Sequence, residues 1–172
     1  TLNGDIIVLE NNTGAILSMV GGINYKTSSF NRARQSTRQP GSSIKPFIYQ
    51  VALNLGYSTA SNLIDISRTY KYNTSDNKEK VWAPENYEKN LKGLVSLRYA
   101  LVHSRNLATI NLVTDIGIDI LHKELRRYGF KDIPFDLSIT LGSFGISLLD
   151  LSEKYTIFSN HGTMVKPYLI AS

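Results

Sequence analysis

Apolar residues along this 172-residue chain come in short blocks whose spacing changes from stretch to stretch. Asp5-Ile6-Ile7-Val8-Leu9 and Ala15-Ile16-Leu17-Ser18-Met19-Val20 are rich in β-branched and apolar residues. The turn cluster Glu10 to Gly14 parts them, which is the pattern of a hairpin. Both runs are largely apolar, which predicts helices covering both faces. Phe47 to Leu55 is a longer apolar run that stops at Gly56 and reads as a buried helix. Gly93 to Val102, with Leu94, Leu97 and Leu101 at helical spacing, reads as another helix, broken at His103-Ser104-Arg105-Asn106. Leu107 to Ile116, stopped by Gly117, and Asp119 to Tyr128, stopped by Gly129, read as two more. Ser147 opens a last helix: Ser147-x-x-Asp150 resembles a capping box, and Leu148, Leu151, Tyr155 and Phe158 supply its core face up to His161-Gly162. Thr163 to Ile170 reads as the start of a strand.

Between these blocks, Ser58 to Lys80 is polar and poor in periodicity, a surface excursion with short strands at best. Its charge run Lys78-Glu79-Lys80 reads as solvated. Val81 to Tyr87, which holds the only tryptophan, reads as an irregular, rigid loop around Pro84. The sum is an α+β pattern: a hairpin, then mostly helices, closing as a strand begins. Two strands do not make a stable sheet alone, so partner strands are expected from beyond Ser172 or from another chain, and the chain reads as a piece of something longer.

Composition narrows the classes. Hydrophobic residues make up 42% of the chain, enough for a globular core. The formal net charge is +5, but the basic residues are scattered and no basic helix is interleaved with aromatics, which argues against nucleic-acid binding. A basic domain facing an anionic polymer or membrane surface stays open as a reading. There are no cysteines, which excludes disulfides, thiolate metal sites and a cysteine nucleophile. His103, His122 and His161 lie far apart with no metal-ligand spacing, so no metal or cofactor is implied. No apolar run reaches the ~18 residues of a spanning helix.

The candidate chemistry sits at Arg38-Gln39-Pro40-Gly41-Ser42-Ser43-Ile44-Lys45-Pro46-Phe47. A Ser-x-x-Lys spacing follows a Pro-Gly break and precedes a helix, so Ser42 and Lys45 share a face. A serine hydroxyl needs a base to act as nucleophile, and burial can lower a lysine's pKa far enough to make it one. Free amides and the positive end of the helix dipole favour an oxyanion nearby. A serine at a helix start is more often only an N-cap, and Ser43 rivals Ser42 for either role. Pro46 biases Lys45 away from helical angles, so the first turn is expected to be tight or irregular. Ser104 and Asn106, two apart between helices, form a second pair: the serine can relay a proton and the asparagine can hold a substrate amide or the lysine. The plainer reading of Asn106 is a cap on the next helix.

Together, Ser-x-x-Lys and Ser-x-Asn are motifs of penicillin-binding proteins and class A β-lactamases. The likeness extends further. F-N-R-A-x-Q-x-x-R-Q-P-G-S-S-x-K-P-F, from Phe30 to Phe47, resembles the active-site stretch of the bifunctional class A penicillin-binding proteins. Trp82-x-Pro84-x-Asn86-Tyr87 with Gly93, Ala100-Leu101-x-x-Ser104-Arg105-Asn106, Leu141-Gly142-Ser143 and Tyr155-x-x-Phe158-x-Asn160-x-Gly162 are similar to their later blocks.

The resemblance implies the antiparallel sheet flanked by helices of the penicillin-binding and β-lactamase fold, with residues 1–172 a partial transpeptidase domain. It implies a DD-transpeptidase acting on peptidoglycan stem peptides that end in D-Ala-D-Ala, inhibited by β-lactams. Ser42 would be the nucleophile, Lys45 the base, Ser104 the proton relay and Asn106 a substrate-positioning residue, with Trp82, Asn86 and Tyr87 bordering the cleft. It further implies a preceding glycosyltransferase domain and membrane anchor, and an extracytoplasmic location. The family's third motif, Lys-Thr/Ser-Gly, does not occur here, since Lys26-Thr27 is followed by Ser28. The chain is therefore expected to stop before that strand and to lack a complete oxyanion hole. A serine β-lactamase or penicillin-sensing domain, and a non-catalytic cell-wall scaffold or inactive fragment, are the alternatives.

Overall fold

In a computed structural model, residues 2–73 and 79–169 are described, with side chains placed for 2–70 and 81–169. In chain order, the first elements are strands β1 (Ile6–Leu9) and β2 (Ile16–Val20), helix α1 (Arg32–Gln35) and strand β3 (Thr37–Arg38). A 3-10 turn at Gly41–Ile44 leads into α2 (Lys45–Asn54), followed by β4 (Asn62–Asp65), β5 (Tyr70–Asn73), β6 (Glu79–Trp82) and β7 (Gly93–Ser96). Helices α3 (Leu97–Val102), α4 (Asn106–Ile116) and α5 (Ile118–Arg127), a second 3-10 turn at Leu137–Leu141, β8 (Ile146–Ser147) and α6 (Leu148–Ser159) complete it. The chain divides into two units, Thr1–Pro40 with Phe144–Ser172, and Gly41–Ser143.

In the first unit, β1 and β2 pair antiparallel, Ile6 opposite Val20, with an irregularity between Val8 and Leu9. Helix α6 packs against β1, capped as expected by the Ser147 hydroxyl, which accepts from the Asp150 N–H at 3.1 Å. The expectation that helices cover both faces is not met among the described residues. Ile6, Val8, Leu17 and Val20 are exposed, because one helix can shield only one side of a two-stranded ribbon. After α6 the chain runs extended beside the hairpin turn and forms a single bridge, Ala15 to Tyr168. Ile170, the last residue of the strand expected there, lies outside the described residues.

The second unit is built on α4, whose residues from Leu107 to Val113 are all buried. Tyr49 and Ala52 of α2, Leu63 of β4, Val95 of β7 and Leu97 and Ala100 of α3 share one core with it. Phe47 packs edge-on against Phe130 with centroids 5.0 Å apart, tying α2 to the segment after α5. The stretch Gly93 to Val102 is not one helix. Its first four residues pair antiparallel with Asn62–Asp65, and α3 begins only after Ser96, whose hydroxyl caps the Tyr99 N–H at 3.1 Å. Leu94, counted on the helical face, is exposed. Trp82 likewise ends a strand and lies against the Tyr70 ring at 5.6 Å. The run Lys78-Glu79-Lys80 lies outside the residues whose side chains are described.

Candidate active site

The predicted site residues Ser42, Lys45, Trp82, Asn86, Tyr87, Ser104 and Asn106 all fall within the unit Gly41–Ser143. The nucleophile candidate Ser42 is exposed in the 3-10 turn that precedes α2. A 3-10 turn has three residues per turn, so side chains at i and i+3 eclipse. Ser42 stands in that turn and Lys45 opens α2 just after it; the two fall on one side of the chain, but no hydrogen bond joins Ser42 Oγ to Lys45 Nζ. The tight first turn follows from the sequence. Gly41 takes φ +55°, and Pro46 occupies the first turn of α2, where its missing N–H would have no intrahelical partner.

Lys45 is 1% exposed. Its Nζ lies 2.7 Å from the Ser104 carbonyl oxygen, 3.1 Å from Ser104 Oγ and 2.7 Å from Asn106 Oδ1. No carboxylate pairs with it among the described residues. Burial therefore acts unopposed and brings its pKa down to about 8. The Asn106 amide is oriented by its other end, since Nδ2 donates to the Glu85 carbonyl at 3.1 Å. A buried amine thus lies against the exposed Ser104 hydroxyl, one turn along from the exposed Ser42.

Ser104 owes its position to the end of α3. The Ser104 N–H donates to the Leu101 carbonyl at 3.0 Å and the Arg105 N–H to the Ala100 carbonyl at 2.8 Å. These are the paired bonds of a Schellman ending, in which the residue past the cap is left-handed and usually glycine. Ser104 fills that position with φ +50°. Asn106 follows as the first residue of α4; the N-cap is Arg105, which makes no side-chain capping bond there.

The capping bond comes instead from Asn86, whose Oδ1 accepts the Leu107 N–H at 3.1 Å. Asn86 was expected at the border of the cleft. It is buried, and its Nδ2 donates to Asp65 Oδ1 at 2.9 Å and to the Asn90 carbonyl at 3.0 Å. Its polar atoms are engaged by the protein, so its place is structural. Trp82 is half-buried, and Tyr87 is 98% exposed.

Three supports were not legible as such in the sequence. The Tyr49 hydroxyl bonds Thr109 Oγ1 at 3.0 Å, and Thr109 Oγ1 donates to the Arg105 carbonyl at 2.7 Å. Gly142, at φ +66°, sits so close to the Ser42 turn that a Cβ there would lie 2.4 Å from the Gly41 carbonyl oxygen. Asp65 and Arg105 form a buried ion pair. The sequence signals for these were an aspartate set inside the apolar run Leu63 to Ile66, and the place of Arg105 and Gly142 within blocks that resemble the family, which gave them no role.

The family profile described as penicillin binding protein transpeptidase domain matches residues 4–172. The chain belongs to that family. It is 37% identical over 171 residues to penicillin-binding protein 1A of Neisseria lactamica, covering 98% of this chain and 21% of that protein. The corresponding protein of Aquifex aeolicus is 38% identical over 169 residues, with 98% and 23% covered. The crystal structure of penicillin-binding protein 1A from Haemophilus influenzae superposes with a TM-score of 0.91 at 36% identity, covering 98% of this chain and 25% of that one. The segment thus spans between a fifth and a quarter of the length of these relatives. The α+β penicillin-binding transpeptidase fold expected from the sequence is the observed one.

Proposed function

We propose that this segment carries the acylating half of a serine DD-transpeptidase that cross-links peptidoglycan stem peptides and is inactivated by β-lactams. The observation that supports this best is the Lys45 amine: buried, free of any carboxylate among the described residues, and held by Ser104 and Asn106 one turn along from Ser42.

A neutral amine has two N–H donors and one lone pair. The Ser104 carbonyl and Asn106 Oδ1 accept only, so they take the two protons. The lone pair is then left to accept from a hydroxyl, either Ser104 or Ser42. In acylation, Lys45 Nζ takes the Ser42 proton as Oγ attacks the carbonyl of the penultimate D-Ala. The oxyanion forms against the amides of the 3-10 turn. The C–N bond breaks, and the lysine proton passes through Ser104 Oγ to the departing D-Ala nitrogen. An amine from a neighbouring stem then attacks the ester, loses its proton along the same path, and Ser42 Oγ is released as the hydroxyl. A β-lactam ring opened by Ser42 leaves an ester with the amine still tethered in the cleft. Exposed Tyr87 and half-buried Trp82 supply apolar surface for the substrate.

The cation for the substrate carboxylate and the rest of the oxyanion hole come from the intact protein outside this segment, as do a glycosyltransferase domain and a membrane anchor. Among the described residues no helix is long and apolar enough to cross a membrane. Because the substrate is peptidoglycan, the domain works on the extracytoplasmic face. The test is covalent labelling of the intact protein by a fluorescent penicillin: the label is expected on Ser42 and lost in Ser42→Ala. Undiminished labelling of that variant overturns the reading.

A further inference from the structure

The mechanism above uses Ser104 and Asn106 but leaves unexplained the residue between them. Arg105 is 2% exposed, although arginine is among the residues least often buried. Its guanidinium offers five N–H donors, and five bonds receive them. Nε and Nη2 both reach Asp65 Oδ2, Nη1 reaches Glu88 Oε2 at 3.2 Å and Asn90 Oδ1 at 2.7 Å, and Nη2 also reaches the Asn90 carbonyl at 2.8 Å. Asp65 is 0% exposed. Burial alone would raise its carboxyl, but bonds from Arg105, from Asn86 and from the Lys92 N–H hold it below its usual value.

Two members of this cluster bear on the backbone that carries Ser104 and Asn106: Arg105 stands between them, and Asn86 accepts the Leu107 N–H. The Arg105 side chain turns inward and is held by its whole fork, so the residues on either side of it are fixed. Ser104 is kept in the left-handed conformation, and Asn106 at the first position of α4. Asn86 connects the same carboxylate to that helix, donating to Asp65 and accepting from the Leu107 N–H. Asp65 itself is anchored at the end of β4, opposite Gly93 of β7.

We infer that Asp65 is a positioning residue for acylation: by holding Arg105 and Asn86 it fixes the Ser104–Asn106 turn, and so aims three oxygens, two carbonyl acceptors and one hydroxyl, at Lys45 Nζ. This rests on the transpeptidase reading. It goes beyond it in naming a residue that touches neither substrate nor the reacting atoms.

The experiment follows acylation of the intact protein by benzylpenicillin over a range of concentrations. It separates the non-covalent dissociation constant, the acylation rate constant and the final labelled fraction. Asp65→Asn keeps the shape of the side chain but not its charge. It is expected to leave the dissociation constant within about threefold and to slow acylation about 10- to 100-fold in molecules that label fully, the scale of a small misplacement of catalytic groups. A purely structural aspartate would instead lower the fraction of protein that labels and leave the rate of the remainder unchanged; that result overturns the inference, as does a folded variant with the wild-type rate. Should Asp65→Asn not fold, Asn86→Ala, which leaves the Asp65–Arg105 pair intact but cuts its link to α4, is judged by the same two criteria. Wild-type protein that fails to label on Ser42 sinks the transpeptidase reading and this inference with it. Equal rates in wild type and variant sink the inference alone.

Discussion

Ser104 stands where a helix ending normally has glycine, and that conflict can be measured. At φ +50° a residue with a Cβ gives up about 1–2 kcal/mol relative to the right-handed region. Ser104→Gly recovers that strain. It loses about 0.5–1 kcal/mol to the greater freedom of glycine in the unfolded chain, and about 1 kcal/mol with the hydrogen bond to Lys45 Nζ. The sum lies within about 1 kcal/mol of wild type. Ser104→Ala loses the same hydrogen bond and keeps the strain. The glycine variant should therefore be the more stable of the two by up to about 1.5 kcal/mol, or up to about 6 °C in melting temperature for a domain of this size. Both variants lack the hydroxyl, so both should label with fluorescent penicillin about 10²–10⁴-fold more slowly, the usual contribution of a proton-transfer group. Thermal melts of the pair, run beside labelling time courses, give both numbers. An alanine variant more stable than the glycine one refutes the left-handed assignment. A glycine variant that labels at the wild-type rate refutes the relay.

Two further outcomes follow from the same geometry. With the Lys45 pKa at about 8, the amine is free base in roughly one molecule in ten at pH 7, so the acylation rate should rise steeply from pH 6 to 8 and level off above; a profile flat over that range removes Lys45 as base. The sign for stability is the same: the folded state releases this proton near pH 8 and the unfolded chain near 10.5, so the lysine's contribution to stability rises with pH between those values and is constant below them. Gly142→Ala combines a left-handed backbone with a Cβ 2.4 Å from the Gly41 carbonyl oxygen. It should destabilise the protein by at least ~2 kcal/mol and slow labelling of Ser42 more than about tenfold, as read by melts and the same time courses; near-normal values for both would mean the two turns do not bear on each other.

What could be read from the sequence was what neighbouring residues decide among themselves. Ser147-x-x-Asp150 announced α6, Gly117 and Gly129 marked helix ends, and Pro40-Gly41 before an apolar run placed Ser42 at a helix start. Gly93 to Val102 reads as one helix because Leu94, Leu97 and Leu101 satisfy a helical period that only the last two obey. Four residues of strand are too short to impose their own alternation, and their partner, Asn62–Asp65, lies thirty positions upstream in a segment with no periodicity. Pairing over that distance is settled by which surfaces fit, and a local pattern carries no trace of it.

The same division runs through the site. Ser42, Lys45, Ser104 and Asn106 could be named because their chemistry is bound up with their spacing, three apart on one turn and two apart on another. The residues that aim them could not. Nothing beside Arg105 in the chain gives it a partner; Asp65, forty positions away, is brought against it by the fold. Asn86 looks like a ligand contact until its amide is found capping α4. A buried ion pair of this kind is a doubtful source of stability, because an apolar pair of similar volume often does as well or better. What an apolar pair cannot do is hold a left-handed serine and a helix's first asparagine in one orientation through directed bonds. The cluster is therefore better accounted for by the geometry it imposes on Lys45 than by the stability it adds.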